Sequence, residues 1–97
     1  MKYDAFKNWL SENKPHWTMS SRATALTNAK GLDADYGDLD AAFDDDRCAS
    51  IMHDIRTLTE PEARRRKRAG KRRYIVSGRS AYVTALKAYC DFIGGTA

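Results

Sequence analysis

The sequence predicts an all-α fold, a small single-domain bundle of four or five helices. Three observations lead there. Apolar residues recur at i, i+3, i+4 and i+7 in several segments. No segment shows the period-two alternation of a half-buried strand. The 97 residues, 42% of them hydrophobic, suffice for one modest core, so the whole of 1–97 reads as one domain.

The first element is "YDAFKNWLSEN", where Tyr3, Phe6, Trp9 and Leu10 share a face. Lys14-Pro15 ends it, because a residue before proline avoids the helical region. Trp17 is expected to fill the core from the connection. "TMSSRATALTNAKGL" follows, capped by Thr18 or Ser20, with a thin stripe of Met19, Ala23, Leu26 and Ala29. Gly31, with Leu32 behind it, has the form of a left-handed helix end. In "DADYGDLDAAFDDD" Asp38 caps a short turn, and Tyr36, Leu39 and Phe43 point inward.

"DDDRCASIMHDIRTLT" is a clear amphipathic helix through Cys48, Ile51, Met52, Ile55 and Leu58. It is expected to start at Asp44 or Asp45, placing aspartates in the first turn, where the helix dipole favours them. "TEPEARRRKRAG" has Thr59 and Glu62 at capping-box spacing and Pro61 in its first turn. Its apolar side is only Ala63 and Ala69, so segment 60–74 is expected to be weakly anchored and mobile. Tyr74, Ile75 and Val76 read as an extended connector. Ser77 then caps a closing helix with a stripe of Tyr82, Ala85, Leu86, Tyr89 and Ile93, and Phe92 beside it; Gly94-Gly95 stop it. The core is expected from the first, fourth and closing helices, through Phe6, Trp9, Leu10, Leu26, Ile51, Met52, Ile55, Tyr82, Leu86, Tyr89 and Ile93.

Several classes are disfavoured by composition. No run of about 18 apolar residues exists to span a membrane. The opening "MKYDAFKNWL" has no apolar stretch of signal-peptide length, so a cytoplasmic location is expected. Cys48 and Cys90 fall where the helical pattern buries residues and read as core thiols of a reducing compartment. A disulfide between them ranks below that. A zinc site with His16 and His53 ranks lower still, since no C-x-x-C or H-x-x-x-H spacing prearranges ligands.

Charge is strongly segregated behind a net +4. Residues 32–54 hold eight aspartates and one arginine, whereas residues 55–97 hold eleven bases and three acids. Eight of the ten residues from Arg64 to Arg73 are basic, with no acid between them. A solvated charged face is the plain reading of a charge run, but such faces usually interleave both signs. Arginine forks bind phosphate oxygens bidentately, and displaced counterions supply affinity independent of sequence. The expected nucleic-acid contacts are therefore Arg64, Arg65, Arg66, Lys67, Arg68, Lys71, Arg72 and Arg73, with Arg79 reaching the same backbone. The expectation is that a polyanion, rather than the chain's own carboxylates, neutralises this run. Tyr74 stacks on an unpaired base or, more simply, fills a boundary position.

The acidic stretch supports an alternative, a protein-interaction module or phage-type inhibitor acting through Asp33, Asp35, Asp38, Asp40, Asp44, Asp45 and Asp46 against a basic site. A calcium loop fits badly: position six would be Asp38 rather than glycine, and position twelve Asp44 rather than glutamate. Helix capping explains several of these aspartates more simply. No catalytic residue, cofactor or metal is implied. His53 and Asp54 are adjacent on a helix, so their side chains diverge. The expected partner is nucleic acid, most plausibly DNA, with a protein partner or a second copy of the chain as the alternative, and no membrane.

The opening "YDAFKNWLSEN", the middle "YGDLDAAFDDDRCASIMHDI" and the closing "GRSAYVTALKAYCDFI" together resemble the helical N-terminal modules that precede nuclease or modified-base-reader domains in some restriction endonucleases. The closing pattern is carried by Ser80, Ala85, Leu86, Lys87, Tyr89, Phe92 and Ile93. More distantly the arrangement is similar to the SAM-like helical domain that clamps DNA in tyrosine recombinases. The resemblance implies a helical bundle with a DNA-associated role in a restriction or mobile-element system. It implies no catalysis.

Overall fold

The computed structural model describes residues 1–68 and 78–95, the side chain of Arg68 excepted. Six helices build it: α1 (Tyr3–Asn13), α2 (Met19–Tyr36), α3 (Leu39–Asp46), α4 (Ala49–Thr57), α5 (Glu60–Arg68) and α6 (Arg79–Ile93). No strand occurs among the described residues. The all-α class expected from the periodicity is observed, with one helix more than the four or five expected.

The segment expected as a short turn after Asp38 is a helix, α3, and two boundaries beside it fall elsewhere than the local signals place them. Thr18 caps α2 as expected, its side chain accepting from Ser21 N at 3.0 Å. Gly31, however, does not end the helix. Gly31 and Leu32 are both buried, and α2 runs on to Tyr36. Burial of that turn outweighs the roughly 1 kcal/mol helix penalty of glycine. The exit falls instead at Gly37, whose φ of 94° suits a residue without Cβ. Asp33 and Asp35 therefore stand on the last turns of α2, not in a connection.

Asp44 and Asp45 likewise end a helix rather than start one. The chain turns at Arg47 (φ 57°) and Cys48 (φ 62°), two consecutive left-handed residues, before α4 begins at Ala49. This corner lets both Leu39 and Cys48 enter the core, where they are 0% and 1% exposed. Asp46 reaches forward across it and accepts from Ser50 N at 3.0 Å and from the Ser50 hydroxyl. Those bonds hold its carboxyl below the ordinary range. The aspartate–dipole attraction expected for α4 is thus made from the preceding helix.

The core gathers on α6, which packs against α1, α2, α3 and α4. Its most extensive partner is α2. The two run parallel, since Ser20, Ser21 and Thr24 near the start of α2 share a groove with Ser80, Ala81 and Thr84 near the start of α6. Ala25, Ala29, Ala85 and Ala88 are all buried, and such small side chains let helices approach closely. Of the expected core, Phe6, Leu10, Leu26, Ile51, Ile55, Leu86 and Tyr89 are buried. Trp9, Met52, Tyr82 and Ile93 are half-buried and pack at its margin. The expectation that the first, fourth and closing helices form the core, with Leu26 from the second, understates α2, whose alanines make a weak pattern but a close interface.

Tyr89 is fully buried, its ring edge-on to Phe6 with centroids 4.9 Å apart. Its hydroxyl accepts from Lys2 N at 2.9 Å and donates to Asp40. One side chain of α6 so ties the start of the chain to α3. Because α6 is enclosed by small residues, Ala85→Leu is expected to destabilise the domain by about 1–3 kcal/mol through overpacking. Urea unfolding followed by circular dichroism measures this; an unchanged midpoint would show that the fully buried site has slack.

Candidate nucleic-acid interface

The arginine run begins on α5. Thr59 starts this helix, its hydroxyl accepting from Glu62 N at 3.4 Å and its carbonyl from Ala63 N at 2.9 Å. Glu60 and Glu62 occupy the first turn, where the dipole favours acids. Two features anchor α5. Ala63 is 1% exposed and joins the core. Arg66 sends both terminal nitrogens onto Asp54 of α4, at 2.7 and 2.9 Å, while its Nε donates to Glu62 at 3.1 Å. Tyr36 of α2 donates to the same Asp54 carboxylate at 2.6 Å.

The electrostatics follow from this clasp. The Arg66 guanidinium, helped by Tyr36, holds the Asp54 carboxyl below the ordinary range despite its partial burial. Arg66 is in turn shifted upward by Asp54. Burial first, then the hydrogen bond to Asp54, pushes the Tyr36 hydroxyl upward. Glu62, bonded by Arg65 and Arg66, is held down to about 2.

The expectation that the chain's own carboxylates leave the run unmatched fails for its described guanidinium groups. Arg64 pairs with Glu60 at 3.7 Å, Arg65 with Glu62 at 2.6 Å and Arg66 with Asp54. The pairs differ in kind. The Arg66–Asp54 side chains are only 29% and 31% exposed and their geometry is bidentate, whereas Arg64 and Arg65 are 62% and 65% exposed. Exposed pairs of that sort contribute little and exchange readily with other anions. Lys67 is exposed and forms no ion pair among the described residues. Within segment 60–74, residues 60–68 are helical and attached through Ala63 and Arg66; residues 69–74 lie outside the described residues. So do Lys71, Arg72, Arg73, Tyr74 and the Arg68 side chain.

Arg79, the ninth expected contact, stands at the start of α6. It is half-buried, and its Nη2 donates to the Leu58 carbonyl, clasping the start of α6 to the α4–α5 turn. Sequence reasoning missed Asp54 and Tyr36 as the partners that position the run. The available signal was that Asp54 is the one carboxylate within α4.

The acidic stretch is largely spent inside the fold. Asp33 accepts from the Met1 amine at 3.2 Å and from Leu39 N at 3.0 Å. Asp38 caps α3 through Asp40 N at 3.0 Å and lies 3.5 Å from the same amine. Asp40 takes the Tyr89 hydroxyl and sits 3.7 Å from Lys2 Nζ. Asp46 caps α4. Asp35 is half-buried, and Asp44 and Asp45 are exposed. Four of the seven aspartates, Asp33, Asp38, Asp40 and Asp46, thus make hydrogen bonds within the fold. No cluster of three or more His, Cys, Asp or Glu able to hold a metal occurs among the described residues, and no helix there is long and apolar enough to cross a membrane. His53 is exposed while Asp54 faces Arg66, so the two diverge.

Compared with known proteins, the chain matches no family model, no curated protein and no solved structure.

Asp54→Asn is expected to destabilise the domain by about 1–3 kcal/mol at neutral pH by unpairing Arg66 and weakening the Tyr36 bond. The sign with pH follows from the depressed carboxyl. Its contribution is present above the unfolded-chain value near 3.8 and is lost as pH falls through the lower folded value. Denaturant titrations of both chains from pH 7 down to 2 should show a constant gap that closes only at the acidic end; a gap that widens on acidification contradicts the clasp.

Proposed function

We propose that this chain is a small nucleic-acid-binding protein or module, with DNA as its ligand, that grips the phosphate backbone through the arginine run. The contacts begin on the exposed side of α5 with Arg64, Arg65 and Lys67 and continue through Arg68, Lys71, Arg72 and Arg73. Arg66 holds the helix in place, and Arg79 fastens α6.

One observation carries the reading. Residues 60–73 contain eight bases against two acids, and among the described ones only Arg66 is committed to a half-buried ion pair. The remaining surplus charge has no equivalent acid beside it within the run. A polyanion relieves that repulsion and releases its own counterions in doing so. No side chain is assigned to a base edge, so the mode is backbone contact without sequence readout. A place in a restriction or mobile-element system is consistent with the helical bundle and rests on the resemblance of its opening, middle and closing helices to such modules. The protein-partner alternative through the aspartates is the weaker reading, because Asp33, Asp38, Asp40 and Asp46 already serve the fold.

The test is a binding series with duplex and single-stranded DNA and RNA at several salt concentrations. With about four phosphates engaged, log K for duplex DNA should fall with log[salt] at a slope of about −4. Replacing Arg64, Arg65 and Lys67 together by Glu should flatten that slope by about 3 while circular dichroism shows an intact fold. Binding that ignores salt, or that survives the triple replacement unchanged, removes the proposal.

A further inference from the structure

Two thiols far apart in sequence meet where the α3–α4 corner faces α6. Cys48 occupies the second of the two left-handed positions of the corner and is 1% exposed; its Sγ lies 3.6 Å from the Leu39 carbonyl. Cys90, half-buried on the last turns of α6, has its Sγ 3.9 Å from the carbonyl of Arg47, which is bonded directly to the Cys48 amide. The Cys90 sulfur thus reaches the peptide bond that leads into Cys48. Both are free. No third ligand joins them among the described residues, so the pair is not half of a metal site.

We infer that Cys48 and Cys90 are an oxidisable pair that closes to an intramolecular disulfide, cross-linking the α3–α4 corner to α6. The oxidant class is a low-molecular-weight disulfide such as oxidised glutathione. Cys90 is the accessible partner. Its thiolate attacks the reagent, whose S–S bond breaks to release one small thiolate and leave a mixed disulfide on Cys90. The Cys48 thiolate then attacks the Cys90 sulfur, the mixed S–S bond breaks, and a second small thiolate leaves. The two protein thiols give up two electrons and two protons; the reagent takes both electrons, and its thiolates take protons from water.

Among the described residues, nothing cationic activates either sulfur. Burial pushes the Cys48 thiol up to about 12 and moves Cys90 upward as well. A nucleophilic catalytic cysteine would show the opposite shift. The pair is accordingly slow at neutral pH and speeds with hydroxide, by about tenfold per pH unit below the thiol values. The strained corner bears on the product. It already holds the Cys48 backbone beside the Cys90 sulfur of α6, and the cross-link removes freedom from a long loop of the unfolded chain.

The test uses the intact, reduced chain incubated with excess oxidised glutathione at pH 8 to 9. Mass spectrometry under non-reducing conditions should find the monomer lighter by two hydrogen atoms, with the Cys48 and Cys90 peptides joined. Its unfolding midpoint should rise by about 10 °C and return on reduction. Ring closure should be faster in buffer than in urea. Cys48→Ser should stop at a stable glutathione adduct on Cys90, whereas Cys90→Ser should resist the reagent while folded. Adducts on the wild-type chain that never close, disulfide-linked dimers as the main product, or an oxidised monomer that melts below the reduced one would each overturn the inference.

Discussion

The domain depends on α6 being the post around which the other helices stand. This helix is the last described one in the chain, yet α1, α2, α3 and α4 all lay faces against it. Before α6 docks, Phe6, Leu26, Leu39 and Ile55 have no common surface to cover. Helices this short are marginal alone in water, so their stability is borrowed from packing. Assembly must therefore be cooperative, with contacts made across most of the sequence. Tyr89 concentrates the constraint. Its ring closes against Phe6, and its hydroxyl binds the chain start and Asp40 at once. A phenol buried that deeply is tolerable because both its donor and acceptor capacities are used.

Charge segregation along the chain has two physical outcomes. In the acidic stretch the carboxylates are consumed locally, capping α3 and α4 and binding the first two residues. In the basic stretch one guanidinium is matched in a half-buried setting and the rest sit on an exposed helix, or outside the described residues. Acid and base are thus not simply paired across the fold. Asp54, reaching from α4, fixes the position of α5 and leaves its outer side in solvent.

Much of this architecture was readable from residue order. Helical periodicity gave the all-α class, Thr18 its cap, and the stripe of α6 its buried face. The failures share a cause. Gly31 and the aspartates at 44–46 are strong local signals, and both were outweighed by burial of neighbours: Leu32 in one case, Leu39 and Cys48 in the other. The contribution of α2 was hidden because alanine barely registers in a hydrophobic pattern, although close helix approach depends on it. At the candidate interface the run itself was plain from composition. Its attachment was not, because the Arg66–Asp54–Tyr36 clasp joins three helices and no local pattern encodes it.

That mode of attachment shapes how the molecule breathes. The other helices are bound through interlocked hydrocarbon, but α5 is held by one alanine and a polar fork. Detaching it exposes little apolar surface, so it constitutes a natural sub-global opening unit with a free energy well below that of the whole. Its amides should exchange with solvent ahead of those of α2 and α6, and a protease should find Lys67 while the remainder of the bundle is still closed.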